Sequence, residues 1–135
     1  MYTIQKIERP KRMKQKYIIN DIVTYDNKTM VVKEPRDGSH FDLSCPKEGL
    51  TYCLVSVDNI KPVDLTSAIL EKNGWDKGQV YFTHSRIPRI KLCTDEDEIR
   101  WSVSINGDIM GDYIFCVHQL QHLFFGLAIN HEMEV

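Results

Sequence analysis

From residue 21 onward the apolar positions alternate in short bursts. In "DIVTYDNKTMVVKE", runs at Ile22–Tyr25 and Thr29–Lys33 flank Asp26-Asn27-Lys28. β-Branched residues on both sides of an Asp-Asn pair predict a hairpin, because Asp and Asn tolerate the left-handed backbone of a tight reversal. "PRDG" at Pro35–Gly38 predicts a turn, "SHFDLS" a strand, "CPKEG" a second turn, and Leu50–Val57 another strand. Pro62 lacks an amide donor and interrupts the ladder that closes this segment. Five short strands over residues 17–64 predict a small SH3-like barrel, an arrangement that removes exposed sheet edges. A unit of this size lies near the lower limit of independent stability, so it is expected to lean on the C-terminal half of the chain.

The period then lengthens. "DLTSAILEKNGW" offers Thr66 as N-cap, apolar Ile69 and Leu70, and Gly74 just past the helix end. The segments "QVYFTHS", "IPRIKLC", "WSVSI" and "DIMGDYIF" come next. Asn106-Gly107 predicts a hairpin between Trp101–Ile105 and Ile109–Ile114. A second helix is predicted over "VHQLQHLFFGL", Val117–Leu127. Residues 65–135 thus read as helix, antiparallel meander, helix. The fold class expected is α+β, with the barrel packed on this unit as one compact body and a basic arm over residues 1–16.

At about 100° per residue, Cys116, Val117, Leu120, Leu123, Phe124 and Leu127 share one side of the second helix, the width of a core-facing stripe. His118 and His122 fall opposite, with Phe125 beside them. The expectation is that both imidazoles and Phe125 face outward, as a protein interface. An exposed phenylalanine forgoes about 1.5–3 kcal/mol of burial, so it is expected to meet something.

Composition changes the picture little. The chain has 135 residues, 42% hydrophobic and 27% charged, as in soluble globular proteins. No apolar run approaches the roughly 18 residues of a membrane span, and the N-terminus lacks the apolar core of a secretory signal. A cytoplasmic protein without membrane contact is expected. Cys45, Cys53, Cys93 and Cys116 are unevenly spaced, which predicts free thiols. Charge is uneven as well. Residues 1–16 hold six Lys or Arg and one Glu, whereas the remainder holds 11 basic and 18 acidic side chains. Such an arm can seek phosphate or fold back on its own acidic body.

Candidate chemistry is sparse. Histidines at i and i+4 are able to share a zinc ion, but Gln119 stands where a zinc protease carries its general-base glutamate. No third ligand is nominated by spacing. No nucleophile–base arrangement or phosphate-cradling glycine loop is recognisable, and the run Asp95-Glu96-Asp97-Glu98 lacks the spacing of a calcium loop. No metal, cofactor or catalytic residue is therefore expected. Binding features are more numerous. Lys11, Arg12, Lys14 and Lys16 in the arm, with Arg86, Arg89 and Lys91 in "HSRIPRIKL", are the candidates for nucleic-acid or partner contact. Tyr17, Tyr25, Tyr81 and Trp75 are candidate stacking surfaces.

Two motifs carry a resemblance. Pro62–Trp75 fits P-[IV]-x-L-T-x-x-I-L-x-x-x-G-[FW], and Val117–Leu127 fits V-H-Q-L-Q-[NH]-L-[YF]-F-[AG]-L. The chain resembles, over roughly residues 17–128, a group of short uncharacterised proteins encoded by phages and prophages of Bacteroidetes. Its basic arm and its tail "AINHEMEV" depart from that group. The resemblance implies a mobile-element origin and a shared fold, and it supplies no catalytic residues. The function expected is that of a non-enzymatic binding protein acting in a bacterial host on a protein or ribonucleoprotein complex. An inhibitor of a defence system, of the anti-CRISPR type, is one form of it. The alternatives are direct binding of RNA or single-stranded DNA and, least favoured, a metal-dependent enzyme.

Overall fold

The computed structural model describes residues 17–135. The arm cations Lys11, Arg12, Lys14 and Lys16 lie outside the described residues. The described residues form two antiparallel five-stranded sheets and two helices, an α+β architecture.

Strand β1 (Ile22–Tyr25) turns into β2 (Lys28–Asp37), with Tyr25 opposite Lys28. Asp26 and Asn27 both take positive φ, 54° and 58°, as the predicted tight hairpin requires. β2 runs straight through the expected turn at Pro35–Gly38. Pro35 sits in the ladder opposite Phe41, and register shifts on either side of it accommodate its missing donor. The reversal falls instead at Gly38-Ser39, before β3 (His40–Cys45) and β4 (Leu50–Ser56). One 3₁₀ turn at Val57–Asn59 then leads into β5 (Lys61–Pro62), which returns beside β1. The order β4-β3-β2-β1-β5 is a meander whose fifth strand joins the first; no ladder between β4 and β5 closes it into a barrel among the described residues.

Helix α1 (Ser67–Lys72) is capped by Thr66, whose hydroxyl accepts from the Ile69 amide at 3.2 Å. The second sheet comprises β6 (Asp76–Lys77), β7 (Phe82–Thr83), β8 (Ile90–Thr94), β9 (Trp101–Ile105) and β10 (Asp108–Ile109), in the order β10-β9-β8-β7-β6. Asn106 and Gly107 turn the β9–β10 hairpin as predicted. The expected strand to Ile114 stops early, and Ile114 instead makes a single bridge to Trp101. Helix α2 (Val117–Gly126) closes the order. Among the described residues no helix is long and apolar enough to cross a membrane.

The described residues build two apolar cores. Val23, Met30, Val32, Phe41 and Leu43 fill the first sheet; Leu70, Leu92, Trp101, Leu120 and Phe124 are central to the second. Successive residues of a strand point to opposite faces. Strand β1 therefore serves both cores, Val23 belonging to the first and its neighbour Ile22 to the second.

Candidate functional site

Helix α2 is where the two halves meet. Its leucine side faces the second core as expected, with Val117, Leu120 and Phe124 buried. The opposite side is not the solvent face read from the sequence. His118 is 2% exposed, its ring packed edge-on against Tyr17 at 5.1 Å and against His122 at 5.5 Å. Tyr17 is buried too, which removes it as a stacking surface. The expectation of outward imidazoles fails because the first sheet covers that side of the helix. His122 keeps partial exposure, but its Nε2 donates to the buried Asp21 carboxylate at 2.6 Å. Burial, followed by the neighbouring His122, pushes His118 down to about 4, so the ring is neutral around pH 7.

Between stripe and imidazoles lies Gln121, fully buried. Its Oε1 accepts from the Ile22 amide at 2.8 Å, and its Nε2 donates to Asn20 O at 2.8 Å and His131 O at 2.9 Å. One amide thus ties α2 to the lead-in of β1 and to the C-terminal segment. Gln119 is also structural. Its Oε1 accepts from the Phe115 and Cys116 amides at 2.7 and 3.0 Å, satisfying donors at the helix start. Among the described residues no group of three His, Cys, Asp or Glu side chains is arranged to hold a metal.

Phe125 does face outward, at 60% exposure. It lines an apolar groove of about 460 Å³ with Ile18, Ile19, Asn20, Pro35 and His131. Ile19 is itself 52% exposed, and His131 stands edge-on to Phe125 at 5.3 Å. Both halves of the chain build this groove, the first supplying residues 18–20 and Pro35, the second Phe125 and His131. The backbone carbonyl of Ile19 lies 3.2 Å from His131 Nε2, which ties one wall to the other.

The other predicted cations are spread out. Lys91 points away from the core between buried Ile90 and Leu92, with its Nζ 5.5 Å from the centre of the Tyr81 ring. Arg89 precedes β8 and reaches towards the carbonyl of Leu127 at 3.5 Å, at the end of α2. Arg86 lies on the rim of a separate hollow of about 270 Å³ with His84, Ile87, Glu132 and Met133. Trp75 is buried against Phe124, the two rings near-parallel at 6.3 Å, and so offers no open stacking face. The structure thus brings Phe125 together with Ile19, Pro35 and His131 in one groove, whose lining includes neither His118 nor His122. Sequence reasoning missed Gln121, Asp21, Ile19 and Pro35. A signal existed for Gln121, which sits on the helix wheel at the edge of the apolar stripe; Pro35 and Ile19 carry none, since the groove joins segments remote in sequence.

Comparison with known protein families, curated proteins and solved structures finds no match for this chain.

Proposed function

We propose that this chain is a non-enzymatic binding protein that grips a protein partner through the Ile19–Phe125 groove. The observation that carries the reading is the exposure of Phe125 at 60% beside Ile19 at 52% in one apolar concavity. Burial of a phenylalanine contributes about 1.5–3 kcal/mol, and interface energies concentrate on a few such aromatic anchors. The fitting occupant is an apolar side chain on a partner's surface, because among the described residues Asn20 and His131 alone bring polar side chains to the groove lining. The resemblance to phage and prophage proteins supports a host protein or ribonucleoprotein complex in the bacterial cytoplasm as the partner, and inhibition of a defence system is one form such binding takes. We read the first sheet as an SH3-like fold, supported by its meander order and by the 3₁₀ turn before the strand that returns to β1.

The test is affinity capture from the host with the parent chain and with Phe125→Ala and Ile19→Ala, each repeated after nuclease treatment. The expected result is one protein set retained through nuclease and high salt and lost with either substitution. Capture that survives both substitutions, or that disappears on nuclease treatment, overturns the reading.

A further inference from the structure

The second sheet has an outward face that neither core uses. Phe82, Ile90, Leu92, Trp101 and Val103 point inward and are buried. Strand alternation therefore turns Thr83, Lys91, Cys93, Ser102 and Ser104 outward. Register sets them in rows: Lys91 lies opposite both Thr83 and Ser104, Cys93 opposite Ser102, and Ser104 opposite Ile109. The centre of the face is thus short hydroxyl and thiol side chains, which let a ligand approach closely.

Two exposed tyrosines stand at its margins, each paired with a cation. Tyr81, 42% exposed, precedes β7 and lies beside Lys91. Tyr113, 47% exposed, precedes the Ile114 bridge to Trp101, and the Arg100 guanidinium sits 4.8 Å from its ring centre. Among the described residues neither cation makes an ion pair with a carboxylate. The ion pairs made there by lysine and arginine, Lys28–Glu48, Arg36–Glu34 and Arg36–Asp42, all lie in the first sheet. Lys91 and Arg100 thus lie beside π surfaces, with no described carboxylate within ion-pair distance.

We propose that this face binds single-stranded nucleic acid, Tyr81 and Tyr113 stacking on bases while Lys91 and Arg100 take phosphates. The two ring-paired cations favour phosphate groups, and the tyrosines favour a ligand with planar groups free to stack. A duplex keeps its bases paired and stacked internally, so it offers the rings nothing. From β7 to the Tyr113 segment is roughly three strand spacings, ~14 Å, a span of about two to three extended nucleotides. The acidic loop Asp95–Glu98 joins β8 to β9 and bounds the face at the Arg100 end. Glu98 is turned away, its carboxylate accepting from the Ser67 amide.

The experiment uses the full chain and fluorescein-labelled oligothymidylate and oligouridylate of about twelve residues, followed by anisotropy across a salt series. Tyr81→Ala and Tyr113→Ala are each expected to weaken binding roughly tenfold. Lys91→Ala with Arg100→Ala is expected to reduce the slope of log affinity against log salt by about 1.4. A duplex of equal length is expected to bind less tightly, and Phe125→Ala to bind like the parent, since the groove is a separate surface. Thermal melting of each variant confirms that it folds. Three results overturn the proposal: no binding of either strand; loss only when Lys11, Arg12, Lys14 and Lys16 are replaced while the sheet variants bind like the parent; or equal binding of a polyglutamate peptide at matched salt.

Discussion

The side chain of Gln121 makes three hydrogen bonds inside the protein, to groups 99, 101 and 10 residues away in sequence. Replacing it with leucine keeps the volume and strands the Ile22 amide together with the Asn20 carbonyl, each at about 1–3 kcal/mol. We expect Gln121→Leu to lower unfolding free energy by about 2–4 kcal/mol in urea titration, and Gln119→Ala, a helix cap, by about 1 kcal/mol. Phe125→Ala removes a side chain that packs little, so its effect on the same measurement is expected within about 0.5 kcal/mol. A much larger loss there would make Phe125 a packing residue and the groove incidental. The sequence exposes Phe125 correctly and His118 wrongly for one reason. A wheel assigns side chains to sectors of a helix, but only tertiary structure says how many sectors are covered.

Helix α2 is covered on two of its three sides, by the second core and by the first sheet, which is why one apolar stripe is a poor guide to it. Elements fixed by local chemistry are easier to read. The Asp26-Asn27 and Asn106-Gly107 reversals and the Thr66 cap fall where their residue types place them, because left-handed backbone and capping oxygens are properties of a few neighbouring residues. Pro35 misleads for the opposite reason. It reads as a turn residue, yet irregular pairing on both sides lets β2 continue past it. Strand β7 falls inside the "QVYFTHS" segment but shrinks to two residues, and β6, also two residues long, leaves no periodic trace. Gly74 shows where an element depends on a missing side chain. Its φ is +88°, and a Cβ there would stand 2.9 Å from His84 Nε2, which itself lies 3.1 Å from the Asn73 carbonyl. Gly74→Ala is expected to cost about 1–3 kcal/mol in thermal or chemical unfolding. A neutral result would show that the α1–β6 turn relaxes freely.

For the molecule as a whole, His118 sets an acid limit. Its ordinary value is 6.5 and the folded protein holds it at about 4, so between these pH values the unfolded chain binds more protons. Stability is then greatest above pH 6.5 and falls as pH drops towards 4, by roughly 3 kcal/mol in total. Urea midpoints measured across this window are expected to decline with acid, and His118→Phe to flatten most of the decline. An equal slope in that variant would place the titrating group elsewhere. Below this window Asp37, Asp42 and Glu48 continue the trend. Their carboxyls are held below the usual range by the Ser39 amide, the Arg36 guanidinium and the Lys28 ammonium respectively, and protonation forfeits those contacts.

Strand β1 places Val23 in one core and Ile22 in the other. A strand with a foot in each cannot melt from one side only. Scanning calorimetry should therefore record a single transition whose van 't Hoff and calorimetric enthalpies agree, with the β1 amides exchanging hydrogen only through global opening. A gene cut between the two sheets would in that case yield two insoluble fragments rather than two working modules.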